Sequence, residues 1–265
     1  MTHTIAVCNR KGGVGKTTVA VNLASAFAQR GHRVLVIDMD SQASATDVLL
    51  EPSTERLSTA HVLAGVAKLS EVLVESTRPG VWVAPASSEL THAQLAIVSK
   101  PGRETILRRA LREVDGFDVI LIDAAPEQQL GTVNALVAST HVLMPWTPDP
   151  VALKGMGTTW EAIAEINEAE LSDVQLLGCV QIAFDKRLKI THEAREQVAS
   201  AYGALLCDTV IRTNTNFFVC PAWHQDIFAI EKKERGVSKG SEDFLALSEE
   251  LALRLNLKKP LRTAA

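Results

Sequence analysis

Two lysines five residues apart in a glycine-rich stretch, two aspartates at i and i+2, and one aspartate closing an apolar run are the residues with chemistry to offer. The lysines lie in Arg-Lys-Gly-Gly-Val-Gly-Lys-Thr-Thr, residues 10–18. Gly12, Gly13 and Gly15, with Val14 among them, let backbone N–H groups converge on phosphate oxygens without side-chain obstruction. A helix leaving the loop at Lys16 points its positive end at the same place. Lys16 can then reach the β- and γ-phosphates of a nucleotide, and the Thr17 hydroxyl can ligate Mg²⁺, with Thr18 beside it. Lys11 does not fit that scheme. A lysine there points away from the phosphates of its own tight loop and needs another partner.

The aspartate pair is Asp38 and Asp40, in Asp-Met-Asp-Ser-Gln-Ala-Ser-Ala-Thr, residues 38–46. Carboxylates two residues apart on a strand share one face, so both are expected to aim at a γ-phosphate and its metal. Asp123 ends Phe-Asp-Val-Ile-Leu-Ile-Asp, residues 117–123. It is expected to hold Mg²⁺ through water at the carboxyl end of a strand, where doubly wound sheets bind ligands.

These groups need strands that end together and a helix that starts where the first one stops. Strand-like runs are Thr4–Cys8, Arg33–Asp38, Val81–Pro85, Phe117–Asp123, His141–Pro145, Gln175–Ile182 and Leu205–Ile211. Several are nearly continuous Val, Ile and Leu, as expected for parallel strands covered on both faces. Helix-like segments lie between them: Lys16–Arg30, Gly102–Val114, Leu130–Ser139, Ala152–Ala169, Thr191–Tyr202 and Ser241–Leu257. The alternation predicts an α/β fold, a doubly wound and mostly parallel sheet with helices on both faces. No long linker divides the chain, so residues 1–265 are expected to form one domain with a frayed tail over about 258–265.

Composition narrows the function. The chain is 46% hydrophobic and 22% charged, which argues against disorder and fibrous repeats. With 27 basic against 31 acidic residues and a net charge of −4, bulk charge does not predict nucleic-acid binding, and such a site must be a local patch. Cys8, Cys179, Cys207 and Cys220 form no CxxC pair and read as buried reduced thiols. The seven histidines show no metal-ligand spacing. No stretch approaches the ~20 apolar residues that span a bilayer.

Lys-Gly-Gly-Val-Gly-Lys-Thr-Thr resembles the deviant Walker A loop of the ParA/MinD group of P-loop ATPases, with Arg10 where the strict motif has its first glycine. The resemblance implies ATP and Mg²⁺ as cofactors. It also implies that Lys11 reaches across a nucleotide-sandwich homodimer to the partner's ATP, with Gly12 where the subunits nearly touch. Residues 38–46 resemble the group's DxDPQGNAT switch, departing at Ser41, Ala43 and Ser44. By that match Asp40 orients the attacking water and Asp38 supports the metal site. Residues 117–136 resemble hhhhDxPPxxxxxTxNAL, with Ala125 for the first proline and Thr132, Asn134, Ala135 and Leu136 retained.

Stretches at residues 86–90, 102–111, 185–187, 208–214 and 238–240 are closer to ParA than to MinD, and the resemblance covers residues 3–256. It implies that Asn214 closes over adenine and that Asp149 faces the partner's signature lysine. Only ten residues precede the loop, so the short form without a helix-turn-helix domain is expected. The resemblance to short ParA proteins implies nonspecific DNA binding as ATP dimers, for which phosphate contacts suffice. Candidate contacts are Lys186, Arg187, Lys189, Lys232, Lys233, Arg235 and Lys239; Asn216 stands where family members often carry an arginine.

The implied function is to position cargo (a plasmid, a chromosome origin or a protein assembly) in the cytoplasm on the nucleoid. Release follows when a ParB-like adaptor stimulates hydrolysis. A MinD-like membrane regulator and a P-loop metabolic or redox enzyme are the alternatives. Pro260 stops the last helix and leaves little basic tail, so a membrane anchor is not expected. Phe217, Phe218, Trp223 and Phe228 make residues 216–228 unusually aromatic. They read first as core packing, and second as a partner- or cargo-specific surface.

Overall fold

The computed structural model describes residues 2–53, 56–126, 130–233 and 239–258, leaving aside the side chain of Lys233. The described residues contain β1 (His3–Val7), β2 (Val34–Met39), β3 (Val74–Glu75), β4 (Val81–Ala84), β5 (Val119–Ala124), β6 (His141–Trp146), β7 (Gln175–Phe184) and β8 (Leu206–Arg212). They form one sheet in the order β3-β4-β2-β5-β1-β6-β7-β8. Every pairing is parallel except β3 with β4.

The strands are apolar on both faces because both faces are covered. Ile5 and Val7 pack on one side with the helices Lys16–Gln29 and Lys239–Arg254, while Ala6 and Cys8 face the other. Val34 and Val36 likewise go one way, and Leu35, Ile37 and Met39 the other. This is the two-residue alternation of a pleated strand, concealed in the sequence because neither side meets water. The expected strands and long helices are present with boundaries shifted by one to three residues, apart from residues 102–114. There a 3₁₀ turn (Arg103–Thr105) precedes a helix of only six residues, Ile106–Leu111.

Short elements went unread. The two-residue β3 closes one edge, and Ser44–Leu49, Thr59–Ala64, Leu69–Val72, Glu89–Ile97, Asn216–Val219 and Ile227–Lys233 are further helices. Segments of four to nine residues give too few turns for a period to show.

The order places the site. From β1 the chain moves outward through β2 and β4, returns to insert β5 between β2 and β1, and continues on the other side with β6. The direction of winding reverses at β1, so a crevice opens beyond the carboxyl ends of the central strands. Asp123 is level with Val7 on one side and with Asp38 on the other.

Candidate functional site

The turn between β1 and the Lys16–Gln29 helix sits at that crevice. Gly13 and Gly15 have φ of 75° and 74°, and a Cβ on Gly15 would lie 2.3 Å from Ile182 Cδ1. The positive φ therefore favours glycine at 15, and any side chain there would have to move the end of Ile182. Among the described residues a Cβ at Gly12 would meet only Pro126 Cβ, at 3.8 Å, an ordinary contact distance. Neighbours brace the loop from behind. Buried Asn9 donates from Nδ2 to the Pro145 carbonyl (2.9 Å) and accepts the Lys11 N–H on Oδ1 (3.0 Å). The Arg10 N–H donates to Thr159 Oγ1 at 3.1 Å.

Lys16 folds back over the loop, and its Nζ donates to the Lys11 carbonyl at 3.0 Å. The side chain is 7% exposed. Burial lowers its pKa, with Asp123 pulling the other way. Asp123 is 1% exposed, and neither of its oxygens meets a donor in hydrogen-bonding geometry among the described residues. Burial, then the charge of Asp38, push its pKa well above the usual carboxylate range; Thr17 and Lys16 pull it only part of the way back. A buried carboxylate left without donors is costly and needs an explanation. Beside an ammonium, a hydroxyl and a phosphate-type loop, it fits a divalent cation, a strong charge that such a site lacks by itself. Thr17 and Asp123 are the groups placed to hold one.

The aspartate pair is arranged differently from the shared-face expectation. β2 ends at Met39, so Asp40 begins the following turn. That turn has N–H groups to satisfy, and Asp38 takes them. Its Oδ1 accepts the Asp40 N–H (3.1 Å), and its Oδ2 accepts both the N–H and hydroxyl of Thr46 (2.9 and 2.8 Å). Burial raises the Asp38 pKa to about 6 against those bonds. Asp38 therefore holds the switch segment, and Asp40, partly exposed with Oδ1 accepting the Gln42 N–H, is the carboxylate at its tip. Within the same turn Ala43 has φ of 54°, a left-handed conformation at the place of the switch motif's glycine.

Lys11 has found a partner in its own chain. Its Nζ lies 2.5 Å from Asp149 Oδ1. Asp149 is also the N-cap of the Pro150–Glu168 helix, accepting the N–H groups of Val151 (3.1 Å) and Ala152 (2.9 Å), while Oδ2 accepts the Thr147 hydroxyl at 2.6 Å. Burial would raise its pKa, but the bonds from Lys11, Thr147 and Ala152 outweigh that and hold it at about 2.

The "AAA domain" family matches residues 2–176. The chain is 33% identical to the chromosome partitioning protein ParA of Myxococcus xanthus over 98% of this chain and 92% of that one. It is 31% identical to the sporulation initiation inhibitor protein Soj of Bacillus subtilis, over 94% and 97%. The chain belongs to the ParA family of P-loop ATPases. Among solved structures, cobyrinic acid a,c-diamide synthase from Mycobacterium smegmatis with bound ADP and magnesium superposes with a TM-score of 0.76 at 30% identity, over 88% of this chain and 96% of that one.

The other ParA-type positions are scattered. Asn214 lines a cavity of about 210 Å³ beside Gly13, Gly15 and Thr18, next to the loop. A larger cavity of about 590 Å³ between Arg78 and Glu231 contains none of the candidate phosphate or metal residues. Lys186, Arg187 and Lys189 are all exposed around the start of the Lys189–Tyr202 helix, but Arg187 is clamped on Asp185 (2.6 Å) and Lys189 pairs with Glu193 (2.8 Å). Lys232 and Lys239 are exposed; Arg235 and the Lys233 side chain lie outside the described residues, as do residues 259–265 of the tail. No helix among the described residues is long and apolar enough to cross a membrane.

The aromatic stretch divides. Phe217 packs edge-on against buried Phe244 (5.8 Å between ring centroids, 85°) and Phe228 is half-buried, as core packing requires. Phe218 (83% exposed) and Trp223 (56% exposed) are not core, which corrects that expectation for these two.

Asn9, Thr159 and Gly155 brace the loop and carried no signal in the sequence. A Cβ on Gly155 would sit 2.6 Å from Asn9 Oδ1 and 3.3 Å from Lys11 Cβ, so the Pro150–Glu168 helix closes on the loop only through a glycine. Asn134, recognised as part of a motif, has a bracing role. Its Oδ1 accepts the Leu107 N–H at 3.1 Å and its Nδ2 donates to the Arg103 carbonyl at 2.8 Å, tying the 3₁₀ turn down.

Proposed function

We propose that the chain is a ParA-type ATPase that hydrolyses ATP with Mg²⁺ and uses the bound nucleotide to switch between a free chain and a DNA-holding sandwich dimer. The carrying observation is Asp123: a buried carboxylate that meets no donor in good hydrogen-bonding geometry among the described residues, with the Thr17 hydroxyl and Lys16 nearby, level with Asp38 at the mouth of a left-handed glycine turn. In this reading residues 12–18 wrap the phosphates, Lys16 neutralises the terminal ones, and Thr17 and Asp123 hold the cation. The cation would screen phosphate charge and fix the oxygens in place. Asp38 supports that site by tethering the switch, and Asp40 orients the attacking water. Asn214 borders the base.

Lys11 is the residue that crosses to the partner's nucleotide, and exposed Gly12 leaves space for a close approach. Lys186, Arg187, Lys189, Lys232, Lys233, Arg235 and Lys239 are the DNA contacts; two copies per dimer give an acidic chain a basic face only when dimeric. A ParB-like adaptor stimulates hydrolysis, the dimer opens, and cargo moves over the nucleoid. Shifting such a switch from 1:99 to 99:1 takes about 5.5 kcal/mol of preferential ATP binding to the dimer.

The test is binding to random-sequence DNA with ATP, with ADP and without nucleotide, at two salt concentrations. Wild type is compared with Asp40→Ala and Lys11→Ala. Binding should need ATP, persist in Asp40→Ala, vanish in Lys11→Ala and weaken with salt. Absence of binding in every state refutes the DNA-holding reading. The Mycobacterium smegmatis likeness favours a second reading, an ATP-using enzyme of a small substrate. Turnover that requires a small molecule and neither DNA nor protein would support it instead.

A further inference from the structure

The phosphate loop accounts for only half of a nucleotide. Beyond Gly15 the cavity of about 210 Å³ runs between the start of the Lys16–Gln29 helix and the residues that follow β8. Its two longest polar side chains are already engaged, while the Thr18, Thr147 and Thr213 hydroxyls also line it. Asn214 donates from Nδ2 to Glu231 Oε1 (3.0 Å) and accepts the Asn216 N–H on Oδ1 (2.9 Å). Arg212 is held by Asp243 at 2.6 Å and reaches Glu242 at 3.3 Å.

Most of the remaining wall is apolar. Phe217 is fixed by its edge-on contact with Phe244, itself fully buried. Phe218 follows it on the short Asn216–Val219 helix and lines the same cavity, yet is 83% exposed, more than any other large hydrophobic residue described. A ring held out at the rim of a cavity, next in sequence to a packed one, is arranged to cover a flat apolar face.

We propose that Phe218 stacks on the nucleobase, and that this site takes base affinity from aromatic stacking. The proposal rests on the nucleotide reading above and adds to it the residue that grips the base. Stacking on an aromatic side chain is worth enough to be measured in binding.

The experiment is calorimetric titration of the full chain with ATP, ADP and inorganic tripolyphosphate, each with Mg²⁺, on wild type, Phe218→Ala and Phe218→Trp. Phe218→Ala should weaken ATP and ADP about tenfold, equivalent to about 1.4 kcal/mol, and leave tripolyphosphate unchanged. Phe218→Trp should restore both nucleotides. Because the ring is exposed, the thermal midpoint without ligand should not move. Unchanged ATP affinity in Phe218→Ala, or equal weakening of ATP and tripolyphosphate, overturns the stacking assignment. A wild-type chain that binds tripolyphosphate but gains nothing from the base also overturns it. A chain that binds neither ligand refutes the nucleotide reading itself.

Discussion

Asp149→Asn is the substitution that tests how Lys11 is controlled. In the single chain the Lys11 ammonium is held by Asp149 with side chains 28% and 37% exposed, so closing a sandwich through Lys11 must first break that pair in each subunit. A partly exposed ion pair is worth about 0.2–1 kcal/mol once solvent screening is counted. Two pairs per dimer then cost about 0.4–2 kcal/mol, which is about 2- to 30-fold in the dimer dissociation constant. Asparagine keeps an oxygen for the Val151 and Ala152 N–H groups and caps a helix about as well as aspartate, so the Pro150–Glu168 helix is preserved while the charge is lost. The assay is sedimentation velocity with ATP and Mg²⁺ in an Asp40→Ala background, with Lys11→Ala as the chain that does not close. Asp149→Asn should tighten the dimer within that range. A weaker dimer would refute the reasoning, because it would mean that Asp149 receives the partner's lysine after closure. An unchanged dimer would equally show that the pair holds nothing back.

Three further outcomes follow from the same geometry. Asp149 titrates at about 2 in the folded chain, below its ordinary 3.8, so its stabilisation is present above about pH 4 and lost as pH falls through 2. The thermal midpoint of wild type should exceed that of Asp149→Asn by about 1–4 °C near neutrality, and the gap should close at pH 2, as followed by circular dichroism. Gly155→Ala should gain up to about 1 kcal/mol of helix propensity but push on Asn9 and Lys11, and a loop displaced by about 1 Å should lower ATP turnover about 10- to 100-fold; wild-type turnover would refute the brace. Ala43→Gly should relieve a left-handed alanine worth about 1 kcal/mol, raising the midpoint, and loosen the switch, read as faster amide exchange at residues 40–46; a lower midpoint would show that backbone entropy outweighs the strain.

The glycine turn after the first strand, the apolar run into Asp123 and the alternation of strands and helices were legible because each depends on residue type and near-neighbour spacing. A glycine at 15, a lysine at 16 and a threonine at 17 carry their meaning within one turn of chain, and an apolar run into Asp123 does the same within one strand. A doubly wound sheet was implied by that alternation, but neither the reversal of winding at β1 nor the register that sets Asp123 level with Asp38.

Tertiary structure decided what those residues do to one another. Asp38 proved to be the tether of the switch because β2 stops at Met39 and the turn beyond it has N–H groups to satisfy. Lys11 and Asp149 are 138 residues apart in the chain and meet only through the placing of β1 beside β6. Asn9, Gly155 and Thr159 matter through contacts between elements, which no spacing along one element records. Phe218 read first as core packing and is 83% exposed, whereas its neighbour Phe217 packs on buried Phe244. Local chemistry was written in the order of residues; burial, charge pairing and exposure arose only when distant segments were packed together.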